Sequence, residues 1–127
     1  MTSNSLKAGI DYVGVGVGAI VVNEGRKEQE MFIIADGLFE VLAKGERINI
    51  LEKGDLFGEV AFFQEGGART ASVRALSDGK VLVIRRRFID ELRKKDPESA
   101  HILIFNLGRI LSERLSRAEA RYHESPL

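Results

Sequence analysis

Met31-Phe32-Ile33-Ile34-Ala35-Asp36-Gly37-Leu38-Phe39-Glu40-Val41-Leu42-Ala43-Lys44-Gly45-Glu46-Arg47-Ile48-Asn49-Ile50-Leu51 holds three short apolar runs parted by Asp36-Gly37 and by Lys44-Gly45-Glu46. Runs of this length bounded by residues that tolerate positive φ read as strands joined by tight hairpin turns. The same punctuation extends outward. Gly18 to Val22, Ala71 to Ala75 and Lys80 to Ile84 are further runs of the kind, with breaks at Asn23-Glu24-Gly25 and Asp78-Gly79. Many short strands with turn residues between them predict a compact antiparallel β-roll, jelly-roll-like, over about residues 10–85. Twelve of the 13 glycines lie between Gly9 and Gly79, so the architecture changes near residue 85.

Beyond that point the spacing is helical. Phe88, Ile89 and Leu92 share one side of a short helix over about 86–95, which Asp96-Pro97 ends because the residue before proline avoids the α region. Pro97 suits the first turn of a second helix over about 97–122, with Asp96 as N-cap and Glu98 at the positive end of the dipole. Ile104, Leu107, Leu111, Leu115, Ala118 and Tyr122 recur every three or four residues, while Leu103 and Ile110 widen the apolar surface to a second side. One side can pack on the roll and the other on a second copy, which predicts a homodimer. Packing of the whole surface inside one chain is the alternative.

The chain has 127 residues, enough for one domain, 1–127, and little more. Nineteen Lys and Arg balance 19 Asp and Glu, whereas a domain built to grip a polyphosphate backbone is normally basic; no nucleic-acid partner is expected. The triplet Arg85-Arg86-Arg87 is a weak signal, being followed past Phe88-Ile89 by Asp90 and Glu91. Without cysteine there is no disulfide, thiolate nucleophile or thiolate metal site. The only histidines, His101 and His123, sit in the helical half and read as surface or packing residues, so no metal site is expected. No stretch has the length of a membrane span or the pattern of a signal peptide, and a cytoplasmic protein with no membrane partner is the expectation.

One segment is not accounted for by turns and core: Gly54-Asp55-Leu56-Phe57-Gly58-Glu59-Val60-Ala61-Phe62-Phe63-Gln64-Glu65-Gly66-Gly67-Ala68-Arg69-Thr70-Ala71-Ser72. Glu59, after a glycine and before Val60 to Phe63, fits a single helical turn with free N–H groups at its start. Arg69 comes ten residues later, past Gly66-Gly67, and can fold back over the same spot with a planar fork suited to phosphate oxygens. With Thr70 beside it, the set can hold a small sugar phosphate. On spacing alone, a Glu59–Arg69 salt bridge closing the loop describes it as well. Enzymatic action would need a nucleophile or general base, and no His, Cys or Lys lies between the two; the chain is not expected to be an enzyme.

Phe57-Gly58-Glu59-Val60-Ala61, followed by Arg69-Thr70-Ala71, resembles the phosphate-binding cassette of the cyclic nucleotide-binding domain family, F-G-E-L/I/V-A, a loop, then R-T/S/A-A. Gly18 to Val22 with Glu24-Gly25 is similar to the family's first roll strands, and Met31 to Gly37 to its L-Y-x-I-x-x-G hairpin. The helices after Arg86 correspond to its B and C helices. The resemblance covers about residues 10 to 120 and implies a β-roll flanked by helices. It departs in Ala68, where many members have proline, in the glycine-rich Val13 to Gly18 at the place of the first strand, and in a nearly absent N-terminal helix.

Carried over, the resemblance implies that Glu59 accepts from the ribose 2′-hydroxyl and Arg69 pairs with the cyclic phosphate. Gly58, Val60 and Ala61 offer backbone contacts, and Thr70 bonds the phosphate and the base. Val41 and Ile48 would wall the purine, core packing being the alternative for both. Arg114, on the C helix near Leu115, would stack over the base as a cation, with Arg117 in reserve; a solvated helix arginine is the alternative. The ligand expected is cyclic AMP before cyclic GMP, with no other cofactor. Thr70 is compatible with cyclic GMP, but the ten-residue interval and the stand-alone format look more like bacterial cyclic AMP sensors. The chain would act as a sensor through C-helix movement on an unknown effector protein. The rival is a degenerate roll that dimerises and interacts without nucleotide.

Overall fold

The computed structural model describes residues 10–124. Eight strands come in chain order as β1 (Ile10–Val15), β2 (Ile20–Val22), β3 (Glu30–Asp36), β4 (Phe39–Ala43), β5 (Glu46–Leu51), β6 (Leu56–Phe57), β7 (Ser72–Ala75) and β8 (Gly79–Arg85). A short helix α1 (Glu59–Phe63) interrupts them after β6, and α2 (Arg86–Lys95) and α3 (Pro97–Glu124) follow β8. The strands form two four-stranded sheets, ordered β1-β8-β3-β6 and β2-β7-β4-β5, with antiparallel neighbours throughout. This is the antiparallel roll expected from the turn pattern.

The core lies between the sheets. Phe32, Ile34, Phe57, Val81 and Val83 enter it from one sheet, and Val22, Phe39, Leu51, Val73 and Ala75 from the other. Phe32 and Phe57 stack with centroids 4.9 Å apart, and Phe39 stands 6.2 Å from Phe57. Full burial of such side chains stabilises by about 1.5–3 kcal/mol each, so these three rings anchor β3, β4 and β6 to one another. The β4–β5 turn is fixed by Lys44 (φ 52) and Gly45 (φ 80), consecutive positive values that give a two-residue hairpin the twist of its strands. Ala43 then pairs with Glu46.

The first strand differs from the sequence expectation: it starts at Ile10, not near Val13. Among the described residues it is an edge strand paired only with β8, and Tyr12 and Val13 are exposed, so it lacks the apolar signature that marks the inner strands. The two-residue β6 has no such run at all; its pairing of Phe32 with Phe57 and Ile33 with Leu56 creates it.

The chain divides into two units, through Asp90 and from Glu91, and each is described separately. In the second, Asp96 caps α3: its Oδ2 accepts from Ser99 Oγ at 2.6 Å and its Oδ1 from Ser99 N at 3.2 Å. These bonds, the side-chain one foremost, hold its carboxyl below the usual aspartate range. Along α3, Ala100 and Leu107 are buried, Ile104 and Leu111 half-buried, and Ile102, Phe105 and Leu115 exposed. Among the described residues no helix is long and apolar enough to cross a membrane.

Candidate functional site

The segment from β6 to β7 is built around one buried cation. β6 ends at Phe57, and Gly58 (φ 83) turns the chain into α1, whose first bond runs from Phe62 N to Gly58 O at 3.2 Å. The N–H groups of Val60 and Ala61 precede that bond and so have no intrahelical acceptor. At the other end of α1, Arg86 Nη1 donates to Phe62 O at 2.8 Å and Gln29 Nε2 donates to Gln64 O at 3.3 Å. The guanidinium of Arg86 also lies over the Phe62 ring, 5.9 Å from its centroid. Residues of α2 and the β2–β3 loop thus hold the carbonyl end of the cassette helix.

Arg69 is clamped through its main chain. Its N–H donates to Arg26 O and its carbonyl accepts from Gly25 N, both at 2.8 Å, and Lys27 bridges Ala68. The side chain then runs inward and is only 2% exposed. Nη1 donates to Glu30 O at 2.8 Å and to Gly58 O at 3.2 Å, and the guanidinium lies over Phe32, 5.8 Å from the ring centroid. Nη2 stands 3.5 Å from Glu30 Oε1. Neither Nε nor Nη2 has a hydrogen bond, although both atoms are buried. They form one edge of the guanidinium, with two parallel N–H vectors, the geometry that takes two oxygens of a carboxylate or phosphate.

Gly58 is what lets the arginine come this close. A Cβ there would stand 2.9 Å from Arg69 Nη1 and 3.0 Å from Glu30 O, and φ lies in the left-handed region. Burial lowers the pKa of Arg69, while the carboxylates of Glu30, Glu28 and Glu59 oppose the shift; an arginine so placed remains charged at neutral pH.

The structure brings Gly58, Glu59, Val60, Ala61 and Arg69 into one locality. Glu59 opens α1 and is half-buried, Val60 is exposed and Ala61 buried. Thr70 follows the arginine and is exposed. Val41 packs against the core and is paired across the sheet with Asn49; Ile48 is the additional residue of a bulge in β5 and is 62% exposed. The two are therefore not cross-strand partners. Arg114 belongs to α3, but its side chain, like those of Ala118, Tyr122 and His123, lies outside the described residues. His101 is exposed and stacks with Phe105 at 6.3 Å. Sequence reasoning missed Glu30, Phe32, Gln29 and Arg86. Glu30 is 39 residues from its arginine and no local pattern marks it.

With this geometry in place, the comparisons agree on one family. The sequence profile of the cyclic nucleotide-binding domain matches residues 15–96, and the chain belongs to that family. Over 58 residues it is 47% identical to the human potassium/sodium hyperpolarization-activated cyclic nucleotide-gated channel 3, covering 46% of this chain and 7% of the channel. Over 100 residues it is 28% identical to the cAMP-activated global transcriptional regulator CRP of Escherichia coli O6:H1, covering 75% of this chain and 46% of the regulator. The chain thus spans less than half the length of either relative. A cyclic nucleotide-binding domain from Methylobacillus flagellatus KT has the same fold, with a TM-score of 0.82 at 20% identity over 96% of this chain and 71% of that one.

Proposed function

We propose that this chain binds a cyclic nucleotide, cyclic AMP before cyclic GMP, and serves as a regulatory sensor module rather than an enzyme. The observation that carries the reading is the buried edge of Arg69, whose Nε and Nη2 lack hydrogen-bond acceptors. A cyclic phosphodiester supplies two oxygens and a negative charge to that edge. The N–H groups of Val60 and Ala61, at the positive end of α1, face the same charge. Glu59 accepts from the ribose 2′-hydroxyl, and Gly58 keeps the backbone close enough for both contacts. Thr70 adds a hydroxyl beside the phosphate, Val41 and Ile48 the apolar side of the purine, and Arg114 on α3 a cation over it.

The choice of base rests on the ten-residue interval between Glu59 and Arg69. The sensor role rests on family membership. A ligand shifts a conformational equilibrium only through a difference in affinity between two states, and Arg114 on α3 is assigned a contact that differs. Self-association belongs to the same proposal, since Ile102, Phe105 and Leu115 stand exposed on that helix; Leu115→Glu should then reduce the mass seen by light scattering.

Isothermal titration with cyclic AMP, cyclic GMP and 5′-AMP tests the reading. Saturable binding of cyclic AMP, weaker binding of cyclic GMP and none of 5′-AMP are expected. Absence of binding by either cyclic nucleotide would instead favour a roll that serves only as an interaction module.

A further inference from the structure

Arg69 Nε and Nη2 are closed off from solvent, so a phosphate reaches them only if a neighbouring group gives way. Glu30 stands beside Nη2, and it plays two separable parts. Its main-chain carbonyl accepts from Nη1 at 2.8 Å, while its carboxylate Oε1 stands 3.5 Å from Nη2 without a hydrogen bond. The arginine side chain is 2% exposed and that of Glu30 is 37% exposed, so of the two groups the carboxylate is the one with room to move.

It also has somewhere to go. In the β3–β8 register Glu30 stands opposite Arg85, and cross-strand partners project to the same face. Glu30 lines a cleft of about 330 Å³ together with Gln29, Arg85, Arg86 and Arg87. Arg86 is engaged there by Asp90, at 3.1 Å from Nε, and by Phe62 O. Glu30 therefore borders two cationic places, the buried Arg69 and the triplet at the β8–α2 junction. Two anions do not share one guanidinium edge without strong mutual repulsion.

Resting on the reading of Arg69 as the phosphate ligand, we propose that Glu30 is its exchangeable counterion. An arriving cyclic phosphate takes the Nε and Nη2 edge, and the Glu30 carboxylate turns into the cleft toward Arg85 and Arg87. The Glu30 carbonyl keeps its hold on Nη1 throughout. Ligand at the cassette thereby changes the charge balance where β8 becomes α2, and the arginine triplet acquires a part in signalling.

The test is isothermal titration of cyclic AMP into the full chain carrying Glu30→Gln, which keeps the backbone carbonyl and the side-chain shape and removes the charge. Binding roughly two- to fivefold tighter than wild type is expected, the scale of one partly exposed ion pair. A residue that merely braces the arginine would give weaker binding on substitution, so the sign decides. Arg85→Gln should weaken binding in the wild-type background and leave it unchanged alongside Glu30→Gln. If Glu30→Gln does not unfold cooperatively, Glu30→Ala carries the same expectation. Wild-type binding with equal or weaker binding by the variant overturns the exchange and leaves the proposed function standing. Binding by the variant where wild type shows none supports it. No binding by either overturns both.

Discussion

Glu40 and Arg69 are both charged and both buried, 2% and 4% exposed, and the roll treats them in opposite ways. Glu40, on β4, has one oxygen bonded by Arg47 Nε at 2.9 Å and the other by Arg74 Nε at 2.7 Å, from the strands on either side. Its acceptors are met by two partly exposed cations, and these bonds, that from Arg47 foremost, hold its carboxyl below the usual glutamate range. Arg69 has its Nη1 tied to two carbonyls and its Nε and Nη2 left without hydrogen bonds. A buried donor without an acceptor costs about 1–3 kcal/mol. Burial of a charge is thus not by itself a mark of function; a buried charge whose hydrogen bonds are half made, in a direction that suits an anion, is.

The contrast can be broken most directly at Arg69. Arg69→Ala should weaken cyclic AMP binding by about 2–4 kcal/mol, the loss of a charge-assisted fork in a desolvated site, while cooperative unfolding persists. Unchanged affinity in titration of the folded variant would move Arg69 into the same class as Glu40. Gly58→Ala places a methyl against Arg69 Nη1 and Glu30 O at a left-handed φ, and should lower thermal stability by about 1–3 kcal/mol and affinity with it. A smaller loss, about 0.5–1.5 kcal/mol, is expected for Glu59→Gln with cyclic AMP, and none with the 2′-deoxy nucleotide; equal losses for both ligands would make Glu59 structural.

At Glu40 the effect on binding should vanish and the effect on folding should remain. Its folded pKa is depressed, so the Arg47–Glu40–Arg74 contacts stabilise the roll above the unfolded pKa and cease to do so as pH falls through the folded one. Glu40→Gln should flatten the acid side of the stability curve and leave the cyclic AMP titration untouched. A change in affinity there would mean that the two charged sites are coupled.

The inner strands and both long helices are legible in the sequence because local signals fix them: apolar runs ending at Asp36-Gly37 or Lys44-Gly45, and helical spacing that restarts at Pro97. β1 is blurred because an exposed edge strand needs no apolar face, and β6 because only its partner β3 makes it a strand. In the site, Glu59 and Arg69 stand out by motif and by the glycines around them. Glu30 does not. Its carbonyl and carboxylate reach Arg69 through the fold of β3 beside the cassette, and a long-range contact of that kind leaves no spacing to read. Ile48 and Val41 show the converse, since the bulge in β5 puts Asn49 rather than Ile48 opposite Val41.

Whether the unsatisfied edge of Arg69 takes the cyclic phosphate is reported by the side-chain Nε–H resonance of Arg69, assigned with Arg69→Lys. During titration of ¹⁵N-labelled protein with cyclic AMP, that resonance should shift in proportion to the bound fraction and become protected from solvent exchange, as a donor gaining an anionic acceptor does. Saturation with cyclic AMP, established by calorimetry on the same sample, with an unmoved Arg69 Nε–H would mean that the phosphate lies elsewhere.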